Sequence, residues 1–359
     1  MATGASPESL ALREMIRQTS SIGVNDTVVV YPSYGRLSPD GRSWRVDIRG
    51  TVYEAGSISR RKRLLVRVMQ RFAKVQPSEA QRELFESRLQ AFVAPTERGK
   101  RVAIRVGDQV FRIRKKTRRN GRFMGRVRFP TEAVHEFEAA GVLEDGWLNL
   151  SVLAPDGTDR DQGKVQLLNG VGTSVISDID DTVKVTDVHS RESLIANTFL
   201  REFRAIEGIA ERYRQWAAEG AAFHYVSSSP WQLFSPLTDL FTTAGLPEGT
   251  FHLRSFRIRE HMLRRLLLIR RRGKASAIRA ILRQFPQRRF VLVGDSGERD
   301  PEIYGNLARK FPDQIQAIYI RQLPHRSLRG DRLRKAFRRL PADRWKTYVD
   351  AEQLPESLK

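Results

Sequence analysis

TSVISDIDDT (173–182) carries an apolar strand, Val175–Ile176, straight into Ser177, Asp178, Ile179, Asp180, Asp181 and Thr182. Three carboxylates then stand at the end of a buried strand, where repulsion is costly without a cation. Asp178 and Asp180 lie two apart and share a side if strand geometry continues. A hard Mg²⁺ ion, which takes oxygen ligands, suits such a cluster. Taken alone, the segment reads more simply as an Asp-rich turn or a helix cap.

The surrounding sequence gives the strand its setting. Downstream come helix FLREFRAIEGIAERYRQWAAEG (199–220), strand FHYVSSS, helix SPLTDLFTTAG, strand TFHLRSF, helix KASAIRAILRQF, strand RFVLVGDS, helix PEIYGNLARKF and strand IQAIYIRQL. This βαβ alternation predicts an α/β domain with a Rossmann-like parallel sheet and helices on both faces, which binds ligands at the carboxyl ends of its strands. Three more signals fall at those ends. AAFHYV runs into Ser227, Ser228, Ser229 and Pro230, where a hydroxyl and free amides can hold a phosphoryl oxygen. Lys274 opens a helix, where a cation opposes the dipole and needs an anionic partner. VLVGDSGERD ends in Asp295, with Asp300 five residues on.

In order and chemistry these four segments resemble the motifs of the haloacid dehalogenase superfamily of phosphatases. SDIDDTVKVTDV, YVSSSPWQLF and GDSGERDPEIY are similar, more narrowly, to the phosphatidate phosphatase group typified by the yeast actin-patch protein and its bacterial relatives. The likeness covers about 170–322; upstream, only the YPSYG opening and general layout match. Much of the superfamily has glycine after the second aspartate, where this chain has Asp181 in the form the narrower group uses.

The resemblance implies that Asp178 attacks phosphorus to give an aspartyl-phosphate, and that Asp180 protonates the leaving oxygen and then activates water. It further implies Mg²⁺ held by Asp178, the backbone carbonyl of Asp180 and Asp295, with Asp300 a direct ligand or the orienter of a bound water. Ser227 and Lys274 would bind the transferring phosphoryl group. Ser228 and Ser229 rival Ser227, Thr182 steadies the loop or the substrate, and Asp181 is a supporting residue or a cap. Lys184 reaches the substrate or is solvated. His224, within a core strand, reads as a satisfied buried residue.

Upstream, DTVVVYPSYG, WRVDIRGTVYE, RVAIRVGDQVFRIRKK, GRFMGRVRFP and GWLNLSVLAP alternate like strands separated by turn residues. A helical lead (Ser9–Gln18) precedes them, and helices at 60–73 and 78–92 interrupt them. The expected organisation is a β-rich, sandwich-like domain with a helical insertion over 1–169, the phosphatase-like domain over 170–345 and a tail over 346–359. The length of 359 residues suits two domains at roughly 150 residues each.

Composition narrows the remaining classes. Hydrophobic residues at 40% and charged residues at 29% describe a folding globular chain and exclude wholesale disorder, collagen and coiled coil. The absence of cysteine excludes disulfides, thiol nucleophiles and Cys-ligated zinc. No apolar run approaches the roughly 20 residues that cross a bilayer, and MATGASPESL lacks the pattern of a secretory signal. The expected location is the cytoplasm, with peripheral contact at a membrane. A net charge of +22 favours anionic partners.

Only 48 residues lie between Asp178 and Ser227 and 46 between Ser227 and Lys274, most of them claimed by predicted elements, which leaves little for a large cap. An uncapped site admits phosphate on a bulky body, a phosphatidate-type lipid above all; nucleic-acid ends and soluble phosphometabolites are the alternatives, as is a non-catalytic anionic-surface binder. Two basic stretches bear on this. From Arg254 to Lys274 nine residues are basic and only Glu260 is acidic; from His325 to Leu340 seven are basic against Asp331. Each suits an anionic membrane or is a solvated, snorkelling face. No zinc-finger or RNP-like pattern accompanies them, so sequence-specific nucleic-acid recognition is not expected.

Overall fold

The computed structural model describes residues 16, 18–54, 78–186, 196–254, 273–323 and 330–358. Most of the lead helix, the helix expected at 60–73, residues 255–272 of the first basic stretch and 325–329 of the second lie outside them. The chain divides into two compact units, Met1–Ser59 with Ala94–Asn169, and Arg60–Val93 with Gly170–Lys359.

The first unit is β-rich. Its strands are β1 (Asp26–Tyr31), β2 (Ser33–Leu37), β3 (Ser43–Glu54), β4 (Ala103–Val106), β5 (Gln109–Arg112), β6 (Arg122–Pro130), β7 (Leu143–Glu144), β8 (Trp147–Leu153) and β9 (Asp159–Leu168). They form one sheet in the order β1-β3-β2-β9-β8-β4-β5, with β6 on β3 and β7 on β8. β3 is the organiser: one edge pairs first with β2 and then with β1, while β6 pairs along the other from Ser43 to Thr51. Alternation along it buries Val46, Ile48 and Val52 in one apolar core with Ile104, Phe129 and Val152. β9 begins within the polar DRDQGK run, because residues 159–163 pair with β8 through their backbone and, being exposed or half-buried, need no apolar side chains.

The second unit holds helix α1 (Glu79–Val93), which sequence places as an insertion in the β-rich domain. Its Phe85 and Phe92 rings meet Phe199 at 6.1 and 5.1 Å, and Arg88 donates to the carbonyls of Thr198 and Arg201. Helix α2 (Thr131–Ala139), in the first unit, is absent from the sequence reading; only Ala133, Val134 and Phe137 give it a buried side.

Strands β10 (Thr173–Ser177), β11 (Ala222–Pro230), β12 (Gly249–Arg254), β13 (Arg289–Asp295), β14 (Ile315–Arg321) and β15 (Trp345–Tyr348) form a wholly parallel sheet in the order β12-β11-β10-β13-β14-β15. Helices α3 (Ile209–Ala218), α4 (Phe234–Ala244), α5 (Lys274–Gln284), α6 (Asp300–Lys310) and α7 (Gly330–Ala336) alternate with them. No helix among the described residues is long and apolar enough to cross a membrane.

Two expectations change here. The helix expected over 199–220 spans only 209–218, because the backbone of 204–206 pairs with 183–185 and the chain re-enters the helix at Gly208, whose φ of 73° is readily reached only without a Cβ. The segment expected as a tail is structural: β15 extends the sheet, Leu354 and Leu358 enter the core, and Trp216 Nε1 donates to the Pro355 carbonyl at 2.9 Å.

Candidate active site

β10 lies between β11 and β13, with Ser177 opposite Tyr225 on one side and Val293 on the other. The carboxyl ends of three adjacent strands therefore deliver Asp178, the serines from 227 and Asp295 to one edge. Lys274 and Asp300 begin α5 and α6.

Asp178, Asp295 and Asp300 each offer an oxygen within 4.8 Å of the others, and all three are buried. Lys274 Nζ stands 2.8 Å from Asp178 Oδ1 and 2.5 Å from Asp300 Oδ1, which supplies the anionic partners its place at a helix start demands. The backbone N–H of Asp295 donates to Asp300 Oδ2 at 3.3 Å. Gly294 makes this approach possible, since a Cβ there would lie 2.2 Å from Asp300 Oδ2.

Among the described residues the cluster is short of cations. Three carboxylates share one ammonium, and burial, reinforced by neighbouring acids, raises Asp178 well above the ordinary carboxylate range and Asp295 to about 7. Asp178 Oδ2 and Asp295 Oδ2 are buried without a hydrogen-bond partner among the described residues. Orphaned carboxylate oxygens beside excess negative charge fit a hard divalent cation.

Asp180 stands apart from this cluster. Its Oδ1 accepts from Lys184 Nζ and Thr186 Oγ1, each at 2.9 Å, and its Oδ2 from Ser227 Oγ at 3.0 Å and Ser229 Oγ at 2.6 Å. Burial would raise its proton affinity, but Lys184 and these hydroxyls outweigh it and hold the carboxyl below the usual range. Lys184, read from sequence as substrate-reaching or solvated, is 1% exposed, with its ammonium 4.5 Å from the Phe203 ring centroid.

The turn between them is strained at one residue. Asp181 has φ of 55°, a left-handed conformation in which glycine is ordinarily favoured, and its Oδ1 accepts from the Thr186 N–H at 2.9 Å. Aspartate tolerates this region better than most residues because its short side chain bonds locally.

Of the other expected residues, Ser227 also accepts from the Ser229 N–H at 2.8 Å. Ser228 points to Glu298 Oε2 at 3.4 Å rather than to Asp180. The Thr182 hydroxyl is buried and without a hydrogen-bond partner among the described residues. His224 is buried, 2.7 Å from the Thr250 hydroxyl, and desolvation lowers its pKa to about 3, which keeps it neutral. Sequence reasoning missed Thr186, left Ser229 as a mere rival and gave Glu298 no role. Only proximity in sequence to the aspartates could have flagged them.

Residues 173–322 match the family model of the phosphatidate phosphatase APP1 catalytic domain. Over these residues the second unit is APP1-like. The matched segment contains Asp178, Asp180, Thr182, Ser227, Ser228, Lys274, Asp295 and Asp300. Phosphatidate phosphatase APP1 of Saccharomyces cerevisiae is 38% identical over 154 residues, 42% of this chain and 26% of that protein. An uncharacterized protein of Schizosaccharomyces pombe is 35% identical over 164 residues, 45% of this chain and 27% of that protein. The chain thus spans about a quarter of the length of these curated relatives as matched, and the likeness lies in the APP1-like unit.

Proposed function

We propose that the APP1-like unit is a Mg²⁺-dependent phosphomonoesterase of haloacid dehalogenase type, releasing phosphate from a phosphatidate-type lipid through an aspartyl-phosphate on Asp178. The observation that carries this reading is the buried set Asp178, Asp295, Asp300 and Lys274, with Asp180 held two residues beyond the nucleophile. The catalytic domain is taken to begin near Gly170, the start of the long segment of the second unit.

In the first step Asp178 forms a bond to phosphorus as the lipid oxygen leaves, and Asp180 supplies the proton that oxygen needs. In the second, Asp180 takes a proton from water, whose oxygen displaces phosphate from Asp178. Asp180 is ionised in the resting site, so it must first gain a proton. A phosphoryl dianion beside Ser227 competes for the hydroxyls and ammonium that hold Asp180, which raises its proton affinity. Lys274 and Ser227 stabilise charge on the transferring group, with Thr182 and Ser228 lining the same strand ends. Asp178, Asp295 and Asp300, with the Asp180 carbonyl, would hold Mg²⁺, which when bound neutralises phosphoryl charge.

The substrate reading draws on the named relative in Saccharomyces cerevisiae and on the short intervals between motifs. Apart from residues 187–195 and 255–272, both intervals are occupied by described elements and their connections, which leaves little for a cap that would exclude a bulky lipid. Work at a cytoplasmic, anionic membrane surface follows from that substrate and from the net charge of +22.

The test is phosphate release with Mg²⁺ from phosphatidate in mixed micelles, beside a phosphometabolite panel and a 3′-phosphorylated oligonucleotide, with Asp178→Asn as blank. Turnover of phosphatidate by wild type alone supports both parts. Turnover of another substrate keeps the mechanism and removes the lipid; binding to anionic surfaces without turnover of any substrate favours a non-catalytic scaffold.

A further inference from the structure

Ser296 to Arg299 join Asp295, at the end of β13, to Asp300, at the start of α6. This turn sets the spacing of two of the three clustered carboxylates. Asp295 Oδ1 holds it through the amides of Gly297 at 2.5 Å and Glu298 at 2.9 Å. Its carbonyls are held by Arg332 on α7: Nη1 donates to Ser296 O at 2.6 Å and Nη2 to Glu298 O. The same guanidinium grips Glu302, with Nε 2.8 Å from Oε1 and Nη2 3.0 Å from Oε2. Glu302 is in the first turn of α6, two residues past Asp300. One side chain therefore ties both flanks of the segment that carries Asp295 and Asp300.

We propose that Arg332 is a positioning residue for the carboxylate cluster, fixing the 296–302 turn so that Asp295 and Asp300 face Asp178 at cation-binding distance. Arg332 lies beyond the matched residues 173–322, in the basic stretch that sequence assigns to an anionic surface or to solvent. It is committed instead to two carbonyls and a carboxylate. A planar fork with five N–H groups meets this demand, whereas a lysine ammonium has three donors and no fixed plane. Arg334, two residues on, is exposed and among the described residues pairs with Asp331 on its own helix, so it serves as an internal control.

The consequence for turnover rests on the proposed phosphatase reading; the consequence for metal binding does not. The experiment is Mg²⁺ titration of the full chain by calorimetry, well below the melting temperature, on wild type, R332K, E302Q, R332K/E302Q and R334Q, with phosphate release measured alongside. R332K is expected to bind Mg²⁺ roughly 10- to 100-fold more weakly, as when a residue supporting metal ligands is lost. R334Q, which removes a charge that R332K keeps, should match wild type. E302Q should weaken binding in the same direction, and the double variant should be little worse than R332K because both act through one clamp. Wild-type affinity in folded R332K, equal weakening in R334Q, or no Mg²⁺ binding by wild type overturns the proposal. If R332K weakens binding while phosphatidate is never hydrolysed, the clamp stands and the lipid phosphatase reading falls. If wild type hydrolyses phosphatidate and R332K binds Mg²⁺ equally well, the reverse holds.

Discussion

Lys184 Nζ lies 2.9 Å from Asp180 Oδ1, and both side chains are largely withdrawn from water. The pair fixes the ionisation of the residue assigned to proton transfer. Because Asp180 sits below the ordinary carboxylate range when folded, its contribution to stability is present above its unfolded value and is lost as pH falls toward the folded one. Lys184→Met should therefore flatten this acid-side loss, reduce stability at neutral pH by about 3 kcal/mol and lower kcat at least about tenfold. Chemical denaturation across the acid range, paired with kcat, checks it; an unchanged pH dependence argues against the assignment.

Gly294→Ala places a methyl group 2.2 Å from Asp300 Oδ2 and 2.8 Å from the Tyr304 ring, with backbone fixed in β13. Asp300 has to move. Overpacking of this kind costs about 1–3 kcal/mol, and here it also displaces a clustered carboxylate. The expected result is a folded protein whose phosphate release falls at least about 100-fold, in line with misplacement of a group at the reacting centre. Retained activity would mean that Asp300 is dispensable.

Asp181 occupies the left-handed region with φ of 55°. Asp181→Ala should be less stable than Asp181→Gly by about 1 kcal/mol, since both lose the bond to the Thr186 N–H but only alanine keeps the Cβ penalty. Thermal melts of the two variants decide it, and equal melting temperatures would contradict the strain argument.

The first unit has its own titration signature. Burial raises half-buried Asp161 from 3.8 to about 6 although its Oδ2 accepts from the Val30 N–H at 2.8 Å. A carboxyl with a raised folded value binds protons more tightly when folded, so stability should fall as pH rises from about 4 through about 6. Asp161→Asn should remove that slope. Its persistence in the variant would assign it to other groups.

Much of this was legible in the sequence because the chemistry and the pattern coincide. Apolar strands ending in Asp178, Ser227 and Asp295 mark the parallel sheet and its working edge, and the structure brings Lys274 and Asp300 to the same place. What sequence periodicity missed depends on pairing at a distance. Residues 204–206 look helical until their pairing with 183–185 is seen, and α1 looks like part of the β-rich domain until Phe92 meets Phe199. Lys184 reads as a substrate-reaching or solvated cation, and Arg332 as part of a membrane-facing or solvated stretch, because basicity is spread along the chain; only the fold shows their carboxylate and carbonyl partners. The four-residue strand β15, read from sequence as the start of a tail, is likewise decided by its pairing with β14 and by burial of Leu354 and Leu358 beyond it rather than by local pattern.

The proposed phosphatase chemistry turns on Asp178 carrying the phosphoryl group. Mass spectrometry of enzyme acid-quenched during phosphatidate turnover tests it most directly, with Asp180→Asn used to slow hydrolysis of the intermediate. A phosphoryl gain is expected on the peptide containing Asp178 in wild type and in Asp180→Asn, and none in Asp178→Asn. Sustained turnover with that peptide unmodified in every sample, or turnover by Asp178→Asn itself, would contradict it.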